Sequence, residues 1–220
     1  MEEHKMDGEK RLEEKCLERK VVYKGKSYEF FVDRVELPDG TEAVREMVKH
    51  PGGVAILAMD GENRVLMEEQ YRYAICQTIT EIPAGKMDKI PGETPQEAAV
   101  RELREETGRV ADHWEYLGKI YPSPGIVSEV LYLYLATGLH EEERELDSDE
   151  FINLKLMELG TVRKGIADGE ITDCKTIAAL AMAELKGLIE ENRRNRYKKV
   201  RPSGVANHLT AVLFYERSCN

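Results

Sequence analysis

The stretch from residue 85 to residue 109, GKMDKIPGETPQEAAVRELREETGR, constrains the fold more than any other part of the chain. Its second half predicts an α-helix, because Thr94 can cap the amino terminus and Pro95 suits the first helical position. Glu97 stands three residues after the cap, as in a capping box, and Gly108 is a suitable end. Apolar and small residues recur at i, i+4 spacing, so one helix face is expected to pack on a sheet.

This helix would carry three carboxylates on one face. Glu102 and Glu106 lie about 40° apart around the axis, and Glu105 lies about 60° on the other side of Glu102. Like charges one turn apart destabilise an isolated helix by roughly 0.2–0.5 kcal/mol per pair, and a divalent cation would remove that penalty. Oxygen ligands without a nearby His or Cys suit Mg²⁺ or Mn²⁺. The alternative is a solvated helix whose Glu side chains pair with Arg101 and Arg104.

The wider spacing resembles the Nudix box, G-x5-E-x7-R-E-U-x-E-E-x-G-U, in which U is apolar. Every defined position from Glu93 to Gly108 matches it. The chain departs from the pattern twice, because seven residues rather than five separate Gly85 from Glu93, and Arg109 occupies the final apolar position. The insertion falls within Met87–Pro91. It is expected to affect the loop more than the helix.

Further runs resemble the ADP-ribose pyrophosphatase branch of the Nudix hydrolases. They are Glu69-Gln70-Tyr71-Arg72, Glu81-Ile82-Pro83-Ala84-Gly85, Tyr121-Pro122-Ser123-Pro124-Gly125 and Asp149-Glu150-Phe151-Ile152. The resemblance covers roughly residues 20–190. It implies an α/β fold, the Nudix α/β/α sandwich, preceded by a small N-terminal antiparallel sheet that is exchanged across a homodimer. The expected divisions are 1–50 for the charged lead and small sheet, 51–192 for the Nudix domain and 193–220 for a basic tail.

The same resemblance implies an enzyme that hydrolyses ADP-ribose to AMP and ribose 5-phosphate with Mg²⁺, or with Mn²⁺ in its place. Two alternatives stay open. One is a hydrolase of another nucleoside diphosphate sugar, such as ADP-glucose or GDP-mannose. The other is a non-catalytic Nudix module that senses ADP-ribose.

Carried over by position, the metal ligands would be Glu102, Glu106 and the backbone carbonyl of Ala84. Arg101 would hold the Glu carboxylates in place, and Glu93 would support them or bind the metal through water. These assignments come from the resemblance, whereas the acidic helix face alone leaves the solvated alternative open.

The resemblance also implies substrate contacts at Arg72, at Glu81 and at the turn that contains Pro124 and Gly125. A guanidinium offers forked donation to phosphate, which suits Arg72, and Glu81 would serve the adenine or ribose side. As a lone residue, Arg72 could equally end a strand in a surface ion pair worth under about 1 kcal/mol.

A general base must reach the attacking water from outside the crowded helix face. The acidic loop at residues 140–150 is the expected source, and within it Glu150 is favoured because it immediately precedes a strand. Asp147 and Asp149 are competitors. Glu105 stands beside the metal ligands and is the second catalytic candidate.

Composition narrows the partners. The formal net charge of −10, from 42 acidic and 32 basic residues, argues against nucleic-acid binding through the phosphate backbone. There is no apolar run of 18 residues and no leader-like start, so no membrane contact is expected and a cytoplasmic setting is favoured. The basic run near the end, RRNRYKKVR, is interpreted as a solvated helix end, with an anion contact as the alternative.

Alternation and turn signals predict the remaining elements. Strands are expected at 20–24, 28–37, 42–49, 54–59, 64–73, 79–83, 113–121, 130–136 and 151–157. Two further helices are expected at 158–167 and 173–192. The turn Leu37-Pro38-Asp39-Gly40 predicts that the second and third strands form a hairpin.

Overall fold

The computed structural model describes residues 12–146 and 150–189, which form three helices, one 3₁₀ turn and ten strands. The strands are β1 Lys15–Lys24, β2 Glu29–Glu36, β3 Glu42–Lys49, β4 Gly53–Met59, β5 Arg64–Arg72, β6 Gln77–Glu81, β7 Ala84–Lys86, β8 Arg109–Ile120, β9 Leu131–Glu141 and β10 Ile152–Glu158. The helices are α1 Pro95–Thr107, α2 Leu159–Asp168 and α3 Cys174–Leu185, and the 3₁₀ turn is Tyr73–Ile75.

The first three strands form a separate antiparallel sheet in the order β1-β2-β3. The predicted hairpin between β2 and β3 is confirmed, and its turn is closed by a 2.7 Å hydrogen bond from Leu37 N to Thr41 O. β1 begins at Lys15 instead of the predicted residue 20, so residues 15–19 belong to the small sheet. Pairing with β2 stabilises this extension, since Arg19 donates to both oxygens of the buried Asp33 carboxylate.

The larger sheet is mixed and has the order β10-β5-β4-β9-β8, with β6 paired to β5 and β7 paired to β4. β4 and β9 run parallel, and every residue of β4 is buried. Alternate β4 side chains pack on opposite layers, as a strand between two helical layers requires. One layer is α1, which packs on Val54, Ile56 and Ala58, and the other is formed by α2 and α3. The predicted α/β/α sandwich with a small antiparallel sheet is therefore confirmed.

Several predicted boundaries differ from the observed ones because pairing and caps decide them. The strand predicted at 79–83 ends at Glu81, and a short additional strand, β7, then pairs with β4. β8 begins directly after the α1 cap at Arg109, four residues earlier than predicted. α3 ends at Leu185 instead of residue 192, where Gly187 adopts a left-handed φ of 68°. The basic run beyond it lies outside the described residues, as does all of the predicted tail, residues 193–220.

No helix among the described residues is long and apolar enough to cross a membrane.

Candidate active site

Helix α1 forms as its sequence predicts. Thr94 Oγ1 accepts a 3.3 Å hydrogen bond from Glu97 N, and the Glu97 carboxylate accepts one of 2.8 Å from Thr94 N, so the capping box is complete. Gly108 ends the helix with a left-handed φ of 62°. Leu103 is buried against the sheet. This packing fixes the rotation of α1 and turns Glu102 and Glu106 inward, where both are buried.

Both carboxylates lie against the main chain of residues 84–85. Ala84 N donates a 2.9 Å hydrogen bond to Glu106 Oε2. A Cβ added to Gly85 would lie only 1.9 Å from Glu102 Cδ, so a side chain at this position would displace the Glu102 carboxylate. The structure thus brings together the three residues predicted to supply metal ligands, and it explains why the motif begins with glycine.

Arg101 organises the acidic residues around it. Its Nε and Nη2 each donate to Glu93 at 2.9 Å, and its Nη1 donates to Glu102 at 2.7 Å and to Glu105 at 3.1 Å. Glu105 also forms a 2.9 Å ion pair with Lys89, which lies in the loop that carries the two-residue insertion. Arg101 therefore holds Glu102 in place, as the sequence predicts, whereas Glu105 is held by two cations at the edge of the site.

A second group of charges is buried beside α1. Glu81 is only 1% exposed, and its two carboxylate oxygens are taken by different cations. Arg72 Nε donates to Oε1 at 2.7 Å, and Lys175 Nζ donates to Oε2. Lys175 also donates to Asp173 at 3.0 Å, and Asp173 in turn caps α3. This arrangement favours orientation of Arg72 by Glu81 over the predicted direct contact of Glu81 with substrate, which stays a prediction.

Two residues of the buried group, Glu68 and Lys175, escape the sequence motifs. Glu68 is 2% exposed in the middle of β5 and lies directly across from Glu81 in the β5–β6 pairing. One signal could have found it, because Glu68 directly follows the apolar run Val65–Met67 and a carboxylate needs a partner when buried. Lys175 stands in the first turn of an apolar helix, and no local signal indicates that it reaches Glu81, 94 residues earlier in the chain.

Burial and like charges disfavour ionisation of the carboxylates in this site. Burial raises the pKa of Glu106 well above its usual range, and the charges of Glu68 and Glu102 raise it further. Burial and the neighbouring Glu81 raise the pKa of Glu68 to about 8. Burial also raises the pKa of Glu102, against the effect of Arg101. Carboxylates in a buried, like-charged group are what a bound divalent cation stabilises, so the oxygen donors present fit such an ion.

In the described part of the chain, no three Asp, Glu, His or Cys side chains are grouped closely enough to form a ready-made ion site. The predicted ligand set has only two such side chains and a main-chain carbonyl. It is therefore compatible with this finding.

The loop after β9 packs on the carboxyl-terminal end of α1. The charge of Glu150 makes the smallest of the named contributions to the raised pKa of Glu106, so the two carboxylates lie within electrostatic range of each other. Arg144 ties the loop down, because it donates to Glu106 O and, at 3.2 Å, to Ile152 O. The competing candidates Asp147 and Asp149 lie outside the described residues.

The turn with Pro124 and Gly125 is exposed and lies beside the small sheet. Val48 N of β3 donates to Ile126 O at 2.8 Å, and Ser128 N donates to Val48 O at 3.0 Å. The turn thus connects the two sheets. Its predicted contact with substrate stays a prediction.

Comparisons with known proteins bear on the family to which this chain belongs. The NUDIX domain model matches residues 49–179. The ADP-ribose pyrophosphatase of Bacillus subtilis (strain 168) is 40% identical over 186 residues, which are 84% of this chain and 100% of that protein. The methanol dehydrogenase activator of Bacillus methanolicus is 41% identical over 179 residues, 80% of this chain and 96% of that protein.

A solved structure described as an ADP compounds hydrolase superposes with a TM-score of 0.71 and covers 82% of this chain and 98% of that one. Its sequence is 23% identical, so the superposition shows a shared fold. The family match, the near-complete coverage of the relatives and the assembled box residues agree with one another. The chain belongs to the Nudix family, as a pyrophosphohydrolase of a kind that generally uses divalent metal ions.

Proposed function

We propose that this protein hydrolyses the diphosphate bond of ADP-ribose to AMP and ribose 5-phosphate, using Mg²⁺ or, in its place, Mn²⁺. The observation that carries the proposal is the pair of buried carboxylates, Glu102 and Glu106, seated on the main chain of Ala84 and Gly85. The names of the Bacillus subtilis protein and of a Mycobacterium tuberculosis relative, 37% identical over 150 residues, support ADP-ribose as substrate.

Glu102, Glu106 and the Ala84 carbonyl would hold the metal, which when bound neutralises phosphate charge and acidifies water. Arg101 keeps the Glu102 carboxylate oriented through its 2.7 Å hydrogen bond, and its bidentate contact with Glu93 fixes the guanidinium itself. The ligands are therefore pre-positioned before substrate arrives, which lowers the cost of reaching a productive geometry.

Arg72 would hold the substrate phosphate. Its Nε is committed to Glu81, and the side chain is 41% exposed, so the Nη groups would be the donors offered to a phosphate. Donation from a fixed guanidinium suits a phosphate group because its planar fork matches two oxygens. Pro124 and Gly125 would border the substrate from the loop beside the small sheet.

Glu150 would accept the proton of the attacking water. As the water oxygen bonds to phosphorus, the bond between that phosphorus and the bridging oxygen breaks, and the proton passes to the Glu150 carboxylate. Proximity to Glu106 supports Glu150, while Asp147 and Asp149 remain its competitors. Glu105 is the less favoured candidate because Arg101 and Lys89 already bind its carboxylate.

We further propose a cytoplasmic homodimer that uses the small sheet as its interface and does not bind nucleic acid. Apolar side chains exposed on this sheet support the interface; they include Val21, Val22, Tyr23 and Val44. The net charge of −10 supports the absence of nucleic-acid binding. The proposed substrate is a small nucleoside diphosphate sugar.

The decisive experiment is product analysis with ADP-ribose, ADP-glucose and GDP-mannose, each with Mg²⁺ and with chelator. AMP from ADP-ribose is expected, and both chelation and Glu106→Gln should abolish most of it. Glu115→Gln is the matched control, because Glu115 is exposed on β8. Faster cleavage of GDP-mannose would favour the second substrate class. A protein of Yersinia enterocolitica named GDP-mannose pyrophosphatase is 31% identical to this chain. ADP-ribose binding without cleavage of any compound would favour the sensing module.

A further inference from the structure

Glu68 holds a buried carboxylate oxygen whose partner needs an explanation. Among the described residues, Glu68 Oε1 is the one buried side-chain polar atom that has no hydrogen-bond partner. The side chain is 2% exposed, so water does not replace that partner from the surface. Most buried polar groups in native proteins are hydrogen-bonded, and an exception at this depth indicates strain, function or a bound ion.

The strand places this carboxylate on the α1 side of the sheet. Leu66 packs in the same cluster as Leu103 of α1, and Glu68, two residues later on β5, projects from the same face. Glu106 lies three residues after Leu103, so it occupies the same side of the helix. One step along the strand and one turn along the helix therefore leave both carboxylates on the same layer of the fold, between the sheet and α1.

The cations nearby do not balance both carboxylates. Arg72 and Lys175 are bonded to Glu81, and Arg101 is bonded to Glu93, Glu102 and Glu105. Arg144 is also close, but its hydrogen bonds go to the main-chain carbonyls of Glu106 and Ile152. Glu106 accepts from the neutral amide of Ala84. A buried charge that is not paired with a cation is costly, and metal coordination is one of the two usual remedies.

We propose that Glu68 is a further ligand of the active-site divalent cation. Strand β5 would supply it from the sheet, whereas helix α1 supplies Glu102 and Glu106. This inference rests on the proposed function, in which Glu102, Glu106 and the Ala84 carbonyl hold that ion. Glu68 would present Oε1 to it. Because no three acidic side chains in the described part are grouped at ligand distance, binding requires Glu68 to rotate toward Glu106.

Mn²⁺ binding tests the proposal without reference to catalysis. The stoichiometry and dissociation constant of Mn²⁺ are measured on the whole chain by titration calorimetry and by electron paramagnetic resonance of the unbound ion. Glu68→Gln keeps the size of the side chain but removes its charge, and it is expected to weaken Mn²⁺ binding about 10-fold or more. The matched control is Glu69→Gln, the next residue on β5, whose side chain faces the opposite way and pairs with Lys155.

Glu68→Asp keeps the charge and shortens the side chain by one methylene. It is expected to weaken Mn²⁺ binding as well, and it decides the question if the Gln variant does not fold. The proposal is overturned if Glu68→Gln, or a folded Glu68→Asp, binds Mn²⁺ with the same dissociation constant as the Glu69→Gln control. The buried Glu68 carboxyl would then be protonated and not bound to the ion.

Glu106→Gln provides a cross-check of the shared ion. If Glu68 and Glu106 bind one ion, the two Gln substitutions weaken Mn²⁺ binding less in combination than the product of their separate effects. Strict multiplication of the two effects would contradict a shared ion. ADP-ribose cleavage by wild type is measured in parallel. If wild type binds Mn²⁺ but does not cleave ADP-ribose, the proposed function is wrong. If wild type does both and the Glu68 variants bind Mn²⁺ normally, only the Glu68 assignment is wrong.

Discussion

Replacing Lys175 with Met tests whether the buried charges around Glu81 form one balanced unit. The Met side chain keeps most of the apolar stem and removes the ammonium group that binds Glu81 Oε2 and, at 3.0 Å, Asp173. Removing one partner of a buried ion pair costs roughly 3–5 kcal/mol, because the other charge stays buried. Arg72 still binds Glu81 Oε1 at 2.7 Å, so we expect the lower end, about 3 kcal/mol.

For a protein of this size, about 3 kcal/mol corresponds to a fall in Tm of roughly 6–12 °C. Urea unfolding in the presence of chelator would compare wild type, Lys175→Met, Glu81→Gln and the double variant. In the Glu81→Gln background the same Lys175 substitution should cost less than about 1 kcal/mol, because residue 81 then carries no charge and Asp173 still accepts two hydrogen bonds from Thr176. Lys155→Met is the control, since its ion pair with Glu69 is half-exposed and worth little.

An equal loss of stability in both Glu81 backgrounds would refute the reasoning, as would a loss below about 1 kcal/mol for Lys175→Met alone. The same variants separate structure from function. If Lys175 acts by fixing Glu81, and through it Arg72, then KM for ADP-ribose should rise more than kcat falls. A change in kcat alone would instead mean that Lys175 does not act through the orientation of Arg72.

Three further perturbations address the metal ligands, the buried charge and the small sheet. Gly85→Ala places a Cβ 1.9 Å from Glu102 Cδ, so it should weaken Mn²⁺ binding in calorimetry, whereas Gly61→Ala, with nothing within 4 Å, should not. In chelator, the free energy of unfolding should fall as pH rises from about 4.5 to about 8, by up to ~1.4 kcal/mol per pH unit. The reason is that burial raises the pKa of Glu68 to about 8, so the stability contributed by its protonated form is lost over this range. Urea titrations at each pH should show a flatter dependence on pH in Glu68→Gln, and a rise with pH in wild type would contradict this account. Removing residues 1–45 should give a monomer by light scattering, and a truncated dimer would place the interface elsewhere.

Helix α1 could be predicted closely because its determinants are local. The cap at Thr94, the stop at Gly108 and the rotation set by Leu103 all act within the helix itself, and the structure reproduces each of them. The loop before it accommodates the two-residue insertion without disturbing Gly85, whose close approach to Glu102 is retained. Spacing along the sequence was therefore enough to place the carboxylates Glu102 and Glu106 side by side.

The charges beside the helix could not be predicted in the same way, since their partners are distant in sequence. Lys175 and Glu81 are 94 residues apart, and only the packing of α3 brings them into contact. Strand ends were missed for a related reason: β7 exists because residues 84–86 pair with β4, and no alternation in three residues announces it. The predicted divisions at 1–50, 51–192 and 193–220 stay predictions.

The two buried glutamates of the β5–β6 pair show why residue type alone does not reveal a role. Glu81 and Glu68 are directly opposite each other and equally inaccessible, yet Glu81 is bonded to two cations whereas Glu68 has an oxygen without a partner. A paired carboxylate is stabilised by the protein and can serve as a fixed support for Arg72. An unpaired one beside Glu106 raises the energy of the metal-free site, and the same free energy is recovered when a cation binds. The cost of burying Glu68 should therefore reappear as affinity for the ion. For this reason Glu68→Gln should raise the free energy of unfolding of the metal-free protein and lower that of the metal-bound protein.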